Sequence, residues 1–187
     1  DDLADVWGTG PNDVWAVGAG ATILHWDGAS WSSVSNPLPE WAFLLRLWGS
    51  GPDDVWAVAY PCCKGDISRI VHWDGTRWCL SWQGPMTLFT NLYFLSIWGS
   101  APNDVWVVGG TTMRWDGTSW QEVSVGPGGM LLADVWGSAA DDVWAVGAFG
   151  AIVHWDGRAW SDFSRSSSDD FVAVWGTLNL AFLVVAG

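Results

Sequence analysis

The chain has 187 residues, half of them hydrophobic, with seven Lys and Arg against 20 Asp and Glu, for a formal net charge of −13. Nucleic acid and anionic membrane both demand clustered Lys and Arg, so neither is expected as a partner. Only 14% of the residues are charged, which leaves few side chains for chemistry, while the apolar content is ample for a core. Three Cys, two of them adjacent at Cys62 and Cys63, make neither a disulfide framework nor a spaced zinc site. A vicinal disulfide, a bridge to Cys79 and buried thiols all stay open.

Read in chain order, one pattern repeats. Its first copy is Trp7-Gly8, a turn ending in Asp13, Val14-Trp15-Ala16-Val17, then Trp26-Asp27-Gly28 and Trp31. Later copies begin at Trp48, Trp98 and Trp136, and Trp175 opens an unfinished fifth. The spacings, roughly 40 to 50 residues, match a four-stranded propeller blade. Of the 19 Trp residues, all but Trp41 and Trp82 fall on recurring positions of the repeat.

Within the first copy, strand A is expected over Leu3 to Trp7, strand B over Val14 to Val17, strand C over Thr22 to Trp26 and strand D over Trp31 to Ser35. Gly10-Pro11-Asn12-Asp13 turns A into B, because Pro presets φ and Asn or Asp bonds nearby amides. Asp27-Gly28 turns C into D, as a pair that readily adopts a hairpin. Strand B is apolar on both faces, so it has to be covered on both, as in blades stacked face to face. The expected fold is an all-β propeller of antiparallel four-stranded blades over about 3–36, 43–83, 92–125 and 131–165, with half a blade over 170–187. Phe171 to Gly187 carries no charge, yet Thr177, Asn179 and two Gly interrupt it, so it reads as strands A and B and not as a membrane span. Missing blades or another chain are expected to complete the ring.

Strand B ending in Val-Gly, then a strand ending in an aromatic plus Asp, then a Trp opening strand D, resembles the Kelch blade. The Asp-Gly-x-x-Trp hairpin is similar to the Asp-box, one residue shorter between Asp and Trp. The phrase from Trp48 to Val58, with His72-Trp73-Asp74-Gly75, resembles tryptophan-rich repeats of secreted or surface proteins of bacteria. That resemblance implies an extracellular, cell-surface or periplasmic location. Asp1-Asp2-Leu3 does not read as a signal peptide, so an export signal is expected to lie outside this sequence or to have been removed.

Function has to be sought where the copies differ. Turns A-B and C-D, at one end of every blade, barely vary. Loops B-C and segments D-A, at the other end, do: B-C is Ala19 to Ala21 in the first blade but Tyr60 to Arg69 in the second, and the D-A stretch after blade two runs from Ser81 to Tyr93. Variable loops on a regular scaffold carry recognition. The candidate ligand-binding residues on that face are Glu40, Trp41, Tyr60, Lys64, Asp66, Trp82, Phe89 and Tyr93. A ring beside an acid suits a sugar, since it stacks on C–H bonds while polar groups read hydroxyls. The blander alternative is that Trp41, Trp82 and Phe89 cover the ends of the blades.

Other clusters point to structure. His25, His72 and His154 share a register position with Arg114. Third strands of neighbouring blades diverge to roughly 10 Å or more from strands about 4.8 Å apart, too far for one metal, so a hydrogen bond within each blade is expected. Asp13, Asp54, Asp104 and Asp142 in the A-B turns and Asp27, Asp74, Asp116 and Asp156 in the C-D hairpins read as turn chemistry, with calcium as the alternative. No cofactor, metal site or catalytic residue is expected. Asp-box sialidases need converging arginines and a Tyr-Glu pair, whereas only Glu40 and Glu122 stand here, and no Ser, His and Asp form a legible triad. The expected function is a non-enzymatic binding or scaffold propeller that takes a protein or a glycan. A lectin and a fragment of an Asp-box glycoside hydrolase are the alternatives.

Overall fold

The computed structural model describes residues 2–61, 67–84, 93–126, 130–165, 168–177 and 180–186. They form four four-stranded antiparallel sheets and one two-stranded sheet, each strand paired with its neighbour in sequence. Contacts divide the chain into two compact units, Asp1–Tyr93 and Phe94–Gly187.

In the first unit, blade 1 comprises β1 (Leu3–Gly10), β2 (Asp13–Gly18), β3 (Ile23–Trp26) and β4 (Trp31–Ser33). Blade 2 comprises β5 (Phe43–Gly51), β6 (Asp54–Tyr60), β7 (Arg69–Trp73) and β8 (Trp78–Gln83). In the second unit, blade 3 comprises β9 (Phe94–Ala101), β10 (Asp104–Gly109), β11 (Met113–Trp115) and β12 (Trp120–Glu122). Blade 4 comprises β13 (Leu132–Ala139), β14 (Asp142–Gly147), β15 (Ile152–Trp155) and β16 (Trp160–Asp162), and β17 (Phe171–Thr177) pairs with β18 (Leu180–Ala186). The described part of the uncharged C-terminal stretch is therefore a pair of antiparallel strands. No helix among the described residues is long and apolar enough to cross a membrane.

The first strand runs past Trp7 to Gly10, and the reason lies in its turn. Gly10 pairs with Asp13 across Pro11-Asn12, and neither turn residue has a positive φ. Such a turn twists against its strands, and a bulge offsets the mismatch. The register slips between Gly8 and Gly10, between Gly49 and Gly51, and between Gly137 and Ala139. The residue left over is Thr9, Ser50 or Ser138, and its hydroxyl turns onto the Asp that opens the second strand. Thr9 donates to Asp13 and Ser50 to Asp54 at 2.5 Å each, and Ser138 donates to Asp142.

That Asp organises the middle of the blade. His25 Nε2 lies 2.7 Å from Asp13 Oδ1, His72 Nε2 2.6 Å from Asp54 Oδ1, and His154 Nε2 2.8 Å from Asp142 Oδ1. In blade 3 the Arg114 guanidinium takes the place of the imidazole, 2.7 Å from Asp104. Each ring also lies on the Trp opposite it in register, most closely His72 on Trp56 at 3.9 Å. Burial opposes ionisation of Asp13, Asp54 and Asp142, but the bonds from Ser or Thr and from His hold all three below the ordinary carboxylate value.

The C-D hairpins differ from a two-residue turn. Trp26 pairs with Trp31, so four residues, Asp27 to Ser30, form the loop. Asp27 Oδ1 accepts from the N–H groups of Ala29 and Ser30 at 2.8 Å, and Gly28 sits at φ 94° over the Asn12 side chain of the A-B turn. A Cβ there would meet Asn12 Oδ1 at 2.5 Å as well as a left-handed backbone, which is why Gly stands at this place in all four hairpins.

Blades join within each unit by one repeated device. The indole of Trp7 covers Gly49, that of Trp98 covers Gly137 and that of Trp136 covers Gly176. One strand outward, Trp15 enters the slot between Trp73 and Trp78, with ring centroids 4.9 and 5.4 Å away. Trp106 enters the slot between Trp155 and Trp160 in the same way, 5.2 Å from each. At the innermost strand, Asp5 accepts the Leu47 N–H at 2.8 Å and Asp134 the Val174 N–H at 2.9 Å. These joints enclose the buried clusters of the two units, Val17, Leu44 and Ala57 in one and Val108, Leu132 and Val153 in the other. Dispersion and lost apolar exposure hold them.

Candidate functional site

The two ends of a blade are built from different chemistry. At the turn end, carboxylates are occupied by their own backbone. Asp74 accepts from the Thr76 N–H and hydroxyl and from the Arg77 N–H, and Asp116 accepts the same set from Thr118 and Ser119. Those bonds lower both carboxyls to about 2. Among the described residues no three His, Cys, Asp or Glu gather as a metal ion would require.

At the opposite end the B-C loops and D-A segments are stitched to one another through the backbone. Ala21 N–H donates to Ala42 O at 2.8 Å, Gly84 N–H to Ser68 O at 3.0 Å and Ala148 N–H to Leu131 O at 3.0 Å. This is the end that carries the residues singled out from the sequence.

Of those, Lys64, Asp66 and Phe89 lie outside the described residues. Glu40 and Trp41 are exposed on the segment leading into blade 2, with half of the Trp41 surface accessible at 50%. The Arg69 guanidinium lies over the Trp41 ring, 5.1 Å from its centroid. Tyr60, at the end of β6, meets Tyr93 edge to face at 5.7 Å. Trp82 is half-buried in β8, paired with Ile70 beside a register slip, and its ring lies against Gly84. Trp41 thus faces solvent on its segment, whereas the tyrosine pair and Trp82 are half-buried, Tyr60 and Trp82 within strands. Arg69 escaped the sequence reading, although its place at the foot of the longest B-C loop pointed to it.

The second unit adds two features that the sequence reading passed over because its loops are short. A hollow of about 470 Å³ opens at the loop end of blade 3, lined among the described residues by Thr111, Thr112, Glu122, Ser124 and Met130. Thr111 donates to the Glu122 carboxylate there at 3.1 Å. In blade 4, Phe149 is 77% exposed in the B-C turn at φ 56° and ψ 33°. Its N–H donates to Asp170 Oδ1 at 2.9 Å, and the next residue, Gly150, also has a positive φ, 75°. Blade 1 builds the same turn from Gly20 and Ala21, so Phe149 stands where the first copy has glycine. A bulky side chain in the left-handed region is unusual, and strained residues cluster at sites of recognition.

No protein-family profile matches the chain, and no curated protein is similar to it. Solved structures are. YCF48 from Cyanidioschyzon merolae aligns with a TM-score of 0.67 at 13% identity, over 99% of this chain and 66% of that one. The Saccharomyces cerevisiae protein Sqt1 aligns with a TM-score of 0.67 at 11% identity, over 94% of this chain and 52% of that one. A structure of YCF48 bound to a D1 peptide aligns over 98% of this chain, with a TM-score of 0.40 at 12% identity. The chain thus spans about two thirds of YCF48 from C. merolae and about half of Sqt1. Both are β-propellers, and the likeness bears on fold. The chain is a tryptophan-rich β-propeller chain, with four complete four-stranded blades and a further strand pair.

Proposed function

We propose that this protein is a non-enzymatic scaffold that binds a protein partner through the loop end of its blades. One contrast carries the reading: at the turn ends Asp13, Asp27, Asp54, Asp74, Asp116, Asp142 and Asp156 accept internal hydrogen bonds, whereas the loop ends of two blades present exposed rings, Trp41 under Arg69 on blade 2 and Phe149 in a left-handed turn on blade 4. Exposed aromatics and Arg on rigid supports are the residue types that dominate protein interfaces. The Asp-Gly hairpins followed by Trp support a Kelch-like or Asp-box-like blade within the propeller class. A location outside the cytoplasm belongs to the same proposal, supported by the likeness of the repeat to secreted and surface propellers of bacteria.

A displayed peptide library panned on the protein, with the Trp41→Ala and Phe149→Gly variants as counter-screens, tests the reading. Peptides that lose at least tenfold in affinity for either variant support it. Glycans that bind on an array and are lost with Trp41→Ala, in the absence of such peptides, would replace it by a lectin.

A further inference from the structure

The B-C loop of blade 3 is shorter than those of blades 1 and 4, and a hollow opens where the extra residues would stand. Gly18, Gly109 and Gly147 end the second strands at equivalent pairs, and the next shared points are Ile23, Thr112 and Ile152, whose carbonyls accept from the N–H groups of Val34, Val123 and Phe163. Ala19 to Thr22 and Ala148 to Ala151 bridge these points in blades 1 and 4, whereas only Gly110 and Thr111 do so in blade 3. Each longer loop holds a left-handed pair, Gly20-Ala21 or Phe149-Gly150, tied to the segment after the fourth strand. Ala21 O accepts from the Asn36 side chain at 2.8 Å, and Gly150 O from the Arg165 N–H at 3.1 Å. Blade 3 has no left-handed pair in its loop, and Val125 stands at the place of Asn36 and Arg165. The hollow of about 470 Å³ lies between that short loop and that segment.

Its wall carries a carboxylate with acceptor capacity to spare. Glu122 pairs with Met113 as Asp162 of blade 4 pairs with Val153. Asp162 turns onto its own backbone and accepts the Ser164 N–H at 2.8 Å. Glu122 is one carbon longer, and its Oε1 accepts the Thr111 hydroxyl of the short loop at 3.1 Å. Among the described residues Oε2 has no hydrogen-bond donor and Glu122 no ion pair. An ionised carboxylate accepts up to about four hydrogen bonds, so one from Thr111 leaves most of it unused. The Ser124 hydroxyl adds a further acceptor, and Val125 and Met130 supply an apolar wall. No aromatic ring among the described residues lines the hollow, so a sugar finds nothing there to stack on.

We infer that this hollow seats a Lys or Arg side chain of the protein partner, its charge on the Glu122 carboxylate and its methylene stem along Val125 and Met130. Long basic side chains lay their stems on apolar surface while the head finds a carboxylate, and such charge-assisted bonds are the stronger kind. The net charge of −13 draws a basic segment toward the chain and favours its encounter over that of an acidic one. This basic anchor rests on the protein-binding role proposed for the loop end and gives the partner its chemistry.

Peptide mixtures with one position fixed as Arg, Lys, norleucine or Glu and the others randomised, titrated against the wild-type protein and its Glu122→Gln variant, test the inference. The Arg and Lys mixtures are expected to bind wild type at least tenfold more tightly than the norleucine and Glu mixtures. That preference is expected to vanish in Glu122→Gln and to persist in Trp41→Ala. Glu122 and Ser124 are both exposed, and Ser124→Trp, which fills the hollow, repeats the test should Glu122→Gln lower the thermal midpoint. A basic preference that survives both variants overturns the inference. Binding that is indifferent to the fixed residue yet weakened by Trp41→Ala or Phe149→Gly also overturns it, and leaves the protein-binding reading standing. Absence of binding by every mixture tells against both.

Discussion

Trp7 lies so close over Gly49 that a Cβ on the glycine would come within 2.5 Å of its Cη2 and 2.8 Å of the Asp54 carbonyl. The same contact recurs between Trp98 and Gly137 at 2.6 Å. The Trp-Gly pair of the repeat is thus one blade's indole and the landing place for another's.

Gly49→Ala is therefore expected to destabilise the first unit by about 1–3 kcal/mol, since an extra carbon forces a ring and a backbone apart. Gly51→Ala is the control. No atom lies within 4 Å of a Cβ at that position, so a change within about 0.5 kcal/mol is expected. Urea unfolding of the two variants reads the difference.

Asp54 accepts from Ser50, Trp56 and His72 at the centre of blade 2. Asp54→Ala strands those donors and is expected to cost about 1–3 kcal/mol, while Asp53→Ala, on the exposed turn, is expected to cost less. Thermal unfolding followed by Trp fluorescence reports it.

Acid should weaken the fold in a defined window. Asp74 and Asp116 have folded values lowered to about 2 against 3.8 for the free side chain. A lowered folded value means that the stabilisation is present in full above 3.8 and is lost as pH falls toward 2. Asp13, Asp54 and Asp142, lowered in the same direction, add to the loss below 3.8. The double variant Asp74→Asn, Asp116→Asn is expected to flatten the stability profile in that range, measured by denaturant midpoints at each pH.

Phe149→Gly should separate stability from binding. Glycine relieves the positive φ but loosens the unfolded chain, so stability is expected to stay within about 1 kcal/mol of wild type. Affinity for loop-end peptides is expected to fall at least tenfold. Equal binding by the variant would remove Phe149 from the proposed interface.

The two out-of-register tryptophans are expected to part company. Trp41→Ala, at a half-exposed ring, should cost under about 1 kcal/mol of stability and act on binding. Trp82→Ala, at a ring against Gly84 inside the blade edge, should cost more stability and leave binding intact. Unfolding and peptide titration on the same samples distinguish them.

Local periodicity was enough to determine the blade. Four copies of Val-Trp between turn residues specify a strand apolar on both faces, and Asp27-Gly28 specifies a hairpin, because both depend on neighbours in sequence. That His25 bonds within its own blade was legible too, since residues on adjacent strands of one meander are placed by register, but its partner, Asp13, had read only as a turn residue. Tertiary structure decided what register does not carry. That Thr9 is a bulged residue whose hydroxyl completes the Asp13 cluster follows from twist at the Pro11 turn, and that Gly49 is a seat for Trp7 follows from how one blade stacks on the next. The exposure of Phe149, in a loop no longer than that of blade 1, depends on a backbone conformation that its residue type disfavours. A single sequence marks long loops, but only the folded backbone shows which short ones are strained.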